Sequence, residues 1–174
     1  MRCNDVKLII VFLISSLFFM FTSSKSNSLE IGESAPQLTA QDQDGLTVDL
    51  SVELFKELAL VFFYPKAHTP GCTHQVCSLR DGYSILESLG VTILGVSSDK
   101  VESQNSFKEK YNLPFRLLSD SNGAISKAFG KNKWSRQAYL FKKGKLVWKD
   151  TQASTAKQTD DVLKALADLG IYDD

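Results

Sequence analysis

The sequence predicts an α/β fold, a central mixed β-sheet flanked by helices with a β-hairpin at its N-terminal side. Three observations carry this. Two apolar runs, residues 59–64 and 91–97, are rich in branched and aromatic side chains and are separated by a stretch of helical periodicity, the pattern of a parallel βαβ unit. Two later runs, 137–141 and 145–149, meet across the turn Lys142-Lys143-Gly144 and lead into an amphipathic helix over 159–169. Upstream, 37–40 and 46–50 read as a hairpin across Gln41-Asp42-Gln43-Asp44-Gly45.

In chain order, the run Ala59-Leu60-Val61-Phe62-Phe63-Tyr64 is dense enough for a buried strand, and Pro65 ends it. Thr69 suits an N-cap and Pro70 the first helical position, and Val76, Leu79, Tyr83, Leu86 and Leu89 recur at helical spacing over 73–89, which predicts one helix running from this start to Leu89. The strand 91–97 then returns parallel to the first. Ser98 or Asp99 caps a helix over 101–111, Pro114 breaks it, and 115–118 is extended. Ser121 or Asn122 starts a further helix that ends near Gly130. A βαβ half followed by an antiparallel ββα half is the order of a thioredoxin-like sheet. No internal repeat or low-complexity tract interrupts it.

The length of 174 residues, with 43% hydrophobic and 23% charged side chains, fits one globular domain. Residues 1–26 stand apart from it: Arg2 and Lys7 belong to a short polar start, Leu8 to Phe21 is fourteen uncharged and mostly apolar residues, and Thr22-Ser23-Ser24-Lys25-Ser26 is small and polar. This is the pattern of a signal peptide. Fourteen residues fall short of the roughly 20 that span a bilayer, although they are long for a cleaved apolar region, so an uncleaved N-terminal anchor is the alternative. The expectation is an exported protein, periplasmic or secreted, with one domain over 27–174. Removing residues 1–26 takes Arg2, Lys7, Lys25 and Asp5 from twenty basic and twenty acidic side chains, leaving 17 and 19 and a formal charge of minus two. No polycation remains, and nucleic-acid binding would need a basic face.

The same cut removes Cys3, so the mature chain carries Cys72 and Cys77 only. In an oxidising compartment such a pair reads as a structural disulfide, but a bridge closing so short a loop inside a helix is a poor staple. Cys72 falls in the first turn of the helix, where unpaired backbone N–H groups and the positive end of the helix dipole favour a thiolate, the nucleophilic form of the side chain. A passive, buried small hydrophobe is the alternative. His74 between the cysteines suggests zinc, but no second ligand pair with finger-like spacing follows, and neither a metal nor a cofactor is expected.

Pro65, Thr69 and Cys72 match the Pro-x-x-x-Thr-x-x-Cys signature of peroxiredoxins. The longer run Tyr64 to Asp81 resembles the subfamily called peroxiredoxin Q or bacterioferritin comigratory protein, and the likeness extends from about Ile31 to about Gly170 through Gly32 to Pro36, Gly95-Val96-Ser97 and Leu118-Ser119-Asp120. Two positions depart from that pattern: His68 stands where a small acidic or polar residue is common, and Gln75 where glutamate is frequent. The resemblance implies a thiol peroxidase of antioxidant defence that reduces hydrogen peroxide and alkyl hydroperoxides, usually as a monomer. It makes Cys72 the peroxidatic cysteine and Cys77 the resolving cysteine, joined in a Cys72–Cys77 disulfide that a thioredoxin or thioredoxin-like reductant reopens. Thr69 would hydrogen bond the thiolate and the peroxide, Pro65 would shield the pocket, and Arg136 would lie over the cysteine with fixed donors. Without the motif Thr69 and Pro65 read equally as an N-cap and a strand terminator, and a surface arginine is the alternative for Arg136. A thiol-disulfide oxidoreductase of the same fold is the competing enzyme, but it would normally carry Cys-x-x-Cys. Arg80 and Asp81 read as a helix-side ion pair or a brace for the pocket, and Trp134 and Trp148 as core or pocket wall.

On an ideal helix, residues five apart have Cα atoms roughly 8 to 9 Å apart, from its rise and radius. A disulfide rarely spans more than about 7 Å, so the helix has to unwind before Cys72 and Cys77 can bond.

Overall fold

A computed structural model describes residues 28–131 and 134–171 of the chain. The segment read as a signal peptide lies outside the described residues. Seven strands form one sheet: β1 (Thr39–Asp42), β2 (Thr47–Asp49), β3 (Leu58–Phe63), β4 (Val91–Ser97), β5 (Arg116–Ser119), β6 (Gln137–Lys142) and β7 (Lys145–Asp150). Their spatial order is β2-β1-β5-β4-β3-β6-β7. The helices are α1 (Leu50–Leu54), α2 (Pro70–Asp81), α3 (Tyr83–Ser88), α4 (Val101–Tyr111), α5 (Ala124–Ala128) and α6 (Gln158–Asp168). Among these described residues no helix is long and apolar enough to cross a membrane.

The thioredoxin-like order read from the sequence is present. β3 pairs parallel with β4, and β4 with β5, while β6 runs antiparallel to β3 and to β7, and the β1–β2 hairpin joins antiparallel to β5. β3 is buried at all six positions, which is what an unbroken apolar run in a sheet covered on both faces requires. Its side chains alternate between two cores. Leu58, Leu60 and Phe62 pack with Val76 and Leu79 of α2, Leu86 of α3, Phe107 of α4 and Val162 and Leu166 of α6. Ala59, Val61 and Phe63 pack with Leu50 and Leu54 of α1 and Ile125 of α5. The β6–β7 turn places Lys143 at φ 48 and Gly144 at φ 77, the two positive values of a tight hairpin whose twist matches its strands.

Helix α1 is an element not expected from the sequence: the second hairpin strand ends at Asp49, whose carboxylate accepts from the Ser51 amide and starts a helix at Leu50, and three further boundaries differ from expectation. The single helix over 73–89 is two helices, because the chain leaves helical geometry at Gly82 (φ −92, ψ 6). The side chain of Thr159 occupies that face, and a Cβ at Gly82 would stand 2.2 Å from its Cγ2. The apolar spacing runs across the break because α2 and α3 rest on the same core. Helix α4 is preceded by Lys100 rather than capped by Ser98 or Asp99, since the Asp99 carboxylate is engaged elsewhere. Helix α5 begins after Gly123; Asn122 Oδ1 accepts from the Ala124 amide, and Asp120 accepts from the Ile125 and Ser126 amides.

Candidate active site

The loop from β3 into α2 carries most of the motif. Pro65 ends the strand half-buried, Tyr64 before it is fully buried, and the Ala67 amide donates to Asp99 Oδ2 at 2.7 Å. His68 takes a left-handed conformation (φ 63), rare for a non-glycine residue, and sets its ring edge-on to Phe107 at 5.0 Å between centroids. Thr69 stands at the N-cap of α2, but its side chain makes no cap hydrogen bond. Its hydroxyl instead donates to the Lys66 carbonyl at 2.9 Å, so the proton expected to point at the cysteine is used within the loop and the oxygen is left as an acceptor. Pro70 opens the helix, and the Thr73 amide makes the first helical bond to the Thr69 carbonyl at 2.9 Å. Cys72 sits within that turn, completely buried, among amides that precede the helical ladder.

Arg136 comes from the other end of the chain. Antiparallel pairing of β3 with β6 sets Phe63 opposite Gln137, so the residue before Gln137 stands beside the C-terminal end of β3, where α2 begins. Arg136 Nη1 donates to Cys72 Sγ at 3.5 Å. The Ala153 amide donates to the Arg136 carbonyl at 3.2 Å and ties its backbone down. Gly71 makes room for the guanidinium: a Cβ there would stand 2.6 Å from Arg136 Nη2. Cys77 lies one and a half turns along the same helix, half-buried against the core, and both sulfurs are free thiols.

A family model described as the AhpC/TSA family matches residues 31–149. The chain belongs to this family. It is 43% identical over 116 residues to peroxiredoxin Bcp of Escherichia coli (strain K12), covering 67% of this chain and 72% of that protein. It is 37% identical over 168 residues to the chloroplastic peroxiredoxin Q of Populus jackii, covering 89% and 78%. The fold superposes with a TM-score of 0.71, at 26% identity and over 79% of this chain and 99% of the other, on the bacterioferritin comigratory protein of Xanthomonas campestris, studied for its alkyl peroxide reduction activity in trapped intermediate and ligand complexes. The chain is thus a peroxiredoxin, a thiol peroxidase.

Within this peroxiredoxin, a buried polar chain behind the loop escaped sequence reading. Tyr64 donates its hydroxyl to Gln104 Oε1. Gln104 Nε2 donates to Ser97 Oγ and to the Leu118 carbonyl, both at 2.9 Å, and Ser97 Oγ donates to Asp99 Oδ2 at 2.7 Å. Burial, more than any neighbouring group, pushes the Tyr64 phenol well above its usual range, so it serves as a fixed donor. The signal in the sequence was Ser97-Ser98-Asp99, polar residues at the carboxyl end of a buried strand, where α/β sheets place their functional groups.

Trp134 corrects an expectation. It is 71% exposed, because it lies in the connection between α5 and β6 and not on a strand, whereas Trp148 packs against the core. Arg80 does pair with Asp81, at 2.8 Å, and also donates to the Tyr111 carbonyl at 3.0 Å. His74 is exposed while Cys72 is buried, and among the described residues no group of His, Cys, Asp or Glu is placed to hold a metal ion.

Proposed function

We propose that this peroxiredoxin reduces hydrogen peroxide and alkyl hydroperoxides with Cys72 as the attacking thiolate, that Cys77 resolves the oxidised sulfur, and that a thioredoxin-like dithiol recycles the pair. The observation that carries this reading is the contact of the Arg136 guanidinium with the buried Cys72 sulfur at the opening turn of α2. Guanidinium donors in a rigid fork suit a peroxide oxygen whose negative charge grows as the O–O bond breaks. The Thr69 oxygen, with its own proton engaged by the Lys66 carbonyl, can accept a hydrogen bond from the peroxide O–H and so orient the terminal oxygen toward the sulfur. Attack transfers that oxygen to Cys72 as a sulfenic acid and releases water or an alcohol once the leaving oxygen is protonated. Cys77 then condenses with the sulfenic acid, forming the disulfide and one water. Thiol exchange through a mixed disulfide returns both thiols.

The spacing of the cysteines and the contact with Arg136 favour this cycle over a thiol-disulfide oxidoreductase. In the proposed setting residues 1–26 direct export, and the mass of the mature protein reports whether they are removed. Mass spectrometry before and after one equivalent of peroxide tests the chemistry: a Cys72–Cys77 bond is expected in wild type. Cys72→Ser is expected to abolish thiol-dependent peroxide consumption, and turnover surviving it rejects the assignment. Cys77→Ser is expected to allow one fast oxidation and then stall unless an added thiol resolves it; unchanged cycling with thioredoxin rejects the resolving role.

A further inference from the structure

For the sulfurs of Cys72 and Cys77 to meet, helix α2 has to unwind between them, and this stretch rests on the first turn of α6. Besides their shared apolar core, two polar contacts among the described residues join these elements, and they differ in quality. Beyond Cys77, the Thr159 amide donates to Ser78 Oγ at 3.2 Å and the Thr159 hydroxyl donates to the Ser78 carbonyl at 2.7 Å. Gly82 lets Thr159 seat there, as a Cβ would collide with it. Between the cysteines, Gln75 Nε2 donates to Gln158 Oε1 at 2.9 Å and, at the limit of hydrogen bonding, to the Phe63 carbonyl at 3.5 Å. Both carboxamides are completely buried, and Gln75 Oε1 and Gln158 Nε2 have no partner among the described residues. Two amides able to exchange two hydrogen bonds thus make one.

A buried polar atom without a partner opposes the packed state, and it is hydrated once the turn opens. The helix is therefore weakened where it has to open and held where it does not. We infer that Gln75 and Gln158 form a clasp that sets how readily α2 opens for disulfide formation, and that Ser78 with Thr159 is the stop at which unwinding ends. The step the clasp governs is the condensation of the Cys72 sulfenic acid with the Cys77 thiol, in which the S–S bond forms, the S–O bond breaks and water leaves. Gln75 and Gln158 are positioning residues for that step, and the inference rests on the resolving role of Cys77.

The test compares wild type, Gln158→Leu and Gln75→Leu/Gln158→Leu by rapid quench after one equivalent of hydrogen peroxide, following oxygen gain on Cys72 and then disulfide formation by mass. Oxygen gain is expected to stay within about twofold in all three, because the hydrogen bonds of both glutamines go to groups other than the sulfur. The single variant leaves the Gln75 amide with only its long contact to Phe63, and disulfide formation is expected to speed up about fivefold; the double variant removes both amides and is expected to slow it about tenfold. Equal rates, or changes of the same sign in both variants, overturn the clasp.

Wild type that never forms the Cys72–Cys77 bond defeats the resolving reading instead, and hydrogen exchange of the reduced protein then decides the clasp. Amides 73–77 are expected to exchange at least about tenfold faster than 79–81 in wild type, and Thr159→Val is expected to spread fast exchange into 78–81. Equal protection across α2 in wild type, or no spread in Thr159→Val, overturns the inference, and both readouts hold even where the double variant does not fold.

Discussion

Gly71 and Arg136 show how closely two side chains far apart in sequence are fitted at the candidate site. The guanidinium lies so near the helix backbone that a methyl group at position 71 would come within 2.6 Å of Nη2. The obstructing atom is the far end of a flexible side chain, so Gly71→Ala is expected to move the guanidinium off the sulfur at little cost in stability. Single-turnover oxidation by peroxide should slow about tenfold with the urea midpoint almost unchanged, the loss of one aligned charged donor setting the scale. Arg136→Lys keeps the charge and loses the fork, and a fall of about a hundredfold in the same assay is expected. At this scale the place of Cys72 at a helix start was legible, because a capping pattern is a local property, whereas Arg136 was named only through the resemblance. The hydroxyl direction of Thr69 was not legible, since it depends on where the Lys66 carbonyl points after the loop folds.

At the scale of elements, the loop that presents Cys72 is held by the end of a neighbouring strand. Asp99, just past β4, accepts from the Ala67 amide and from Ser97, and Ser97 is tied through Gln104 to Tyr64 and β5. Asp99→Ala leaves the Ala67 amide without its acceptor, which costs about 1 to 3 kcal/mol for a buried donor. The expected outcome is a lower urea midpoint together with slower oxidation of Cys72; a midpoint shift with an unchanged oxidation rate would show that the loop does not need this anchor. The βαβ and ββα halves and the helices that join them were read correctly because apolar periodicity reports them directly, whereas the short helix α1 was read as the end of a strand. The break at Gly82 and the cap of α4 were misread because Thr159 and Ala67, distant in sequence, decide how those residues are used.

For the whole molecule, two buried phenols are expected to weaken stability at alkaline pH. Burial raises the Tyr139 phenol from 10.0 to about 12, and it raises the Tyr64 phenol further. Their contribution is fully present below the unfolded value of 10.0 and is lost as pH rises through the folded values, because the unfolded chain gives up these protons first. Unfolding midpoints measured between about pH 9 and 11 are expected to fall, and Tyr139→Phe should reduce that fall by about 1 kcal/mol. An identical pH dependence in the variant would remove Tyr139 from this role.

The βαβ and ββα halves, the burial of β3 and the place of Cys72 at a helix start follow from the chain alone, because periodicity, turn residues and capping preferences act over a few neighbouring positions. Tertiary structure alone decided that Arg136 meets Cys72, through the pairing of Phe63 with Gln137 that joins β3 to β6. It also decided that Asp99 holds the loop and that Gln75 finds Gln158, 83 positions away, with one hydrogen bond where two could form. Such partners are chosen by the packing of whole elements against one another, and no local pattern in the chain records that choice.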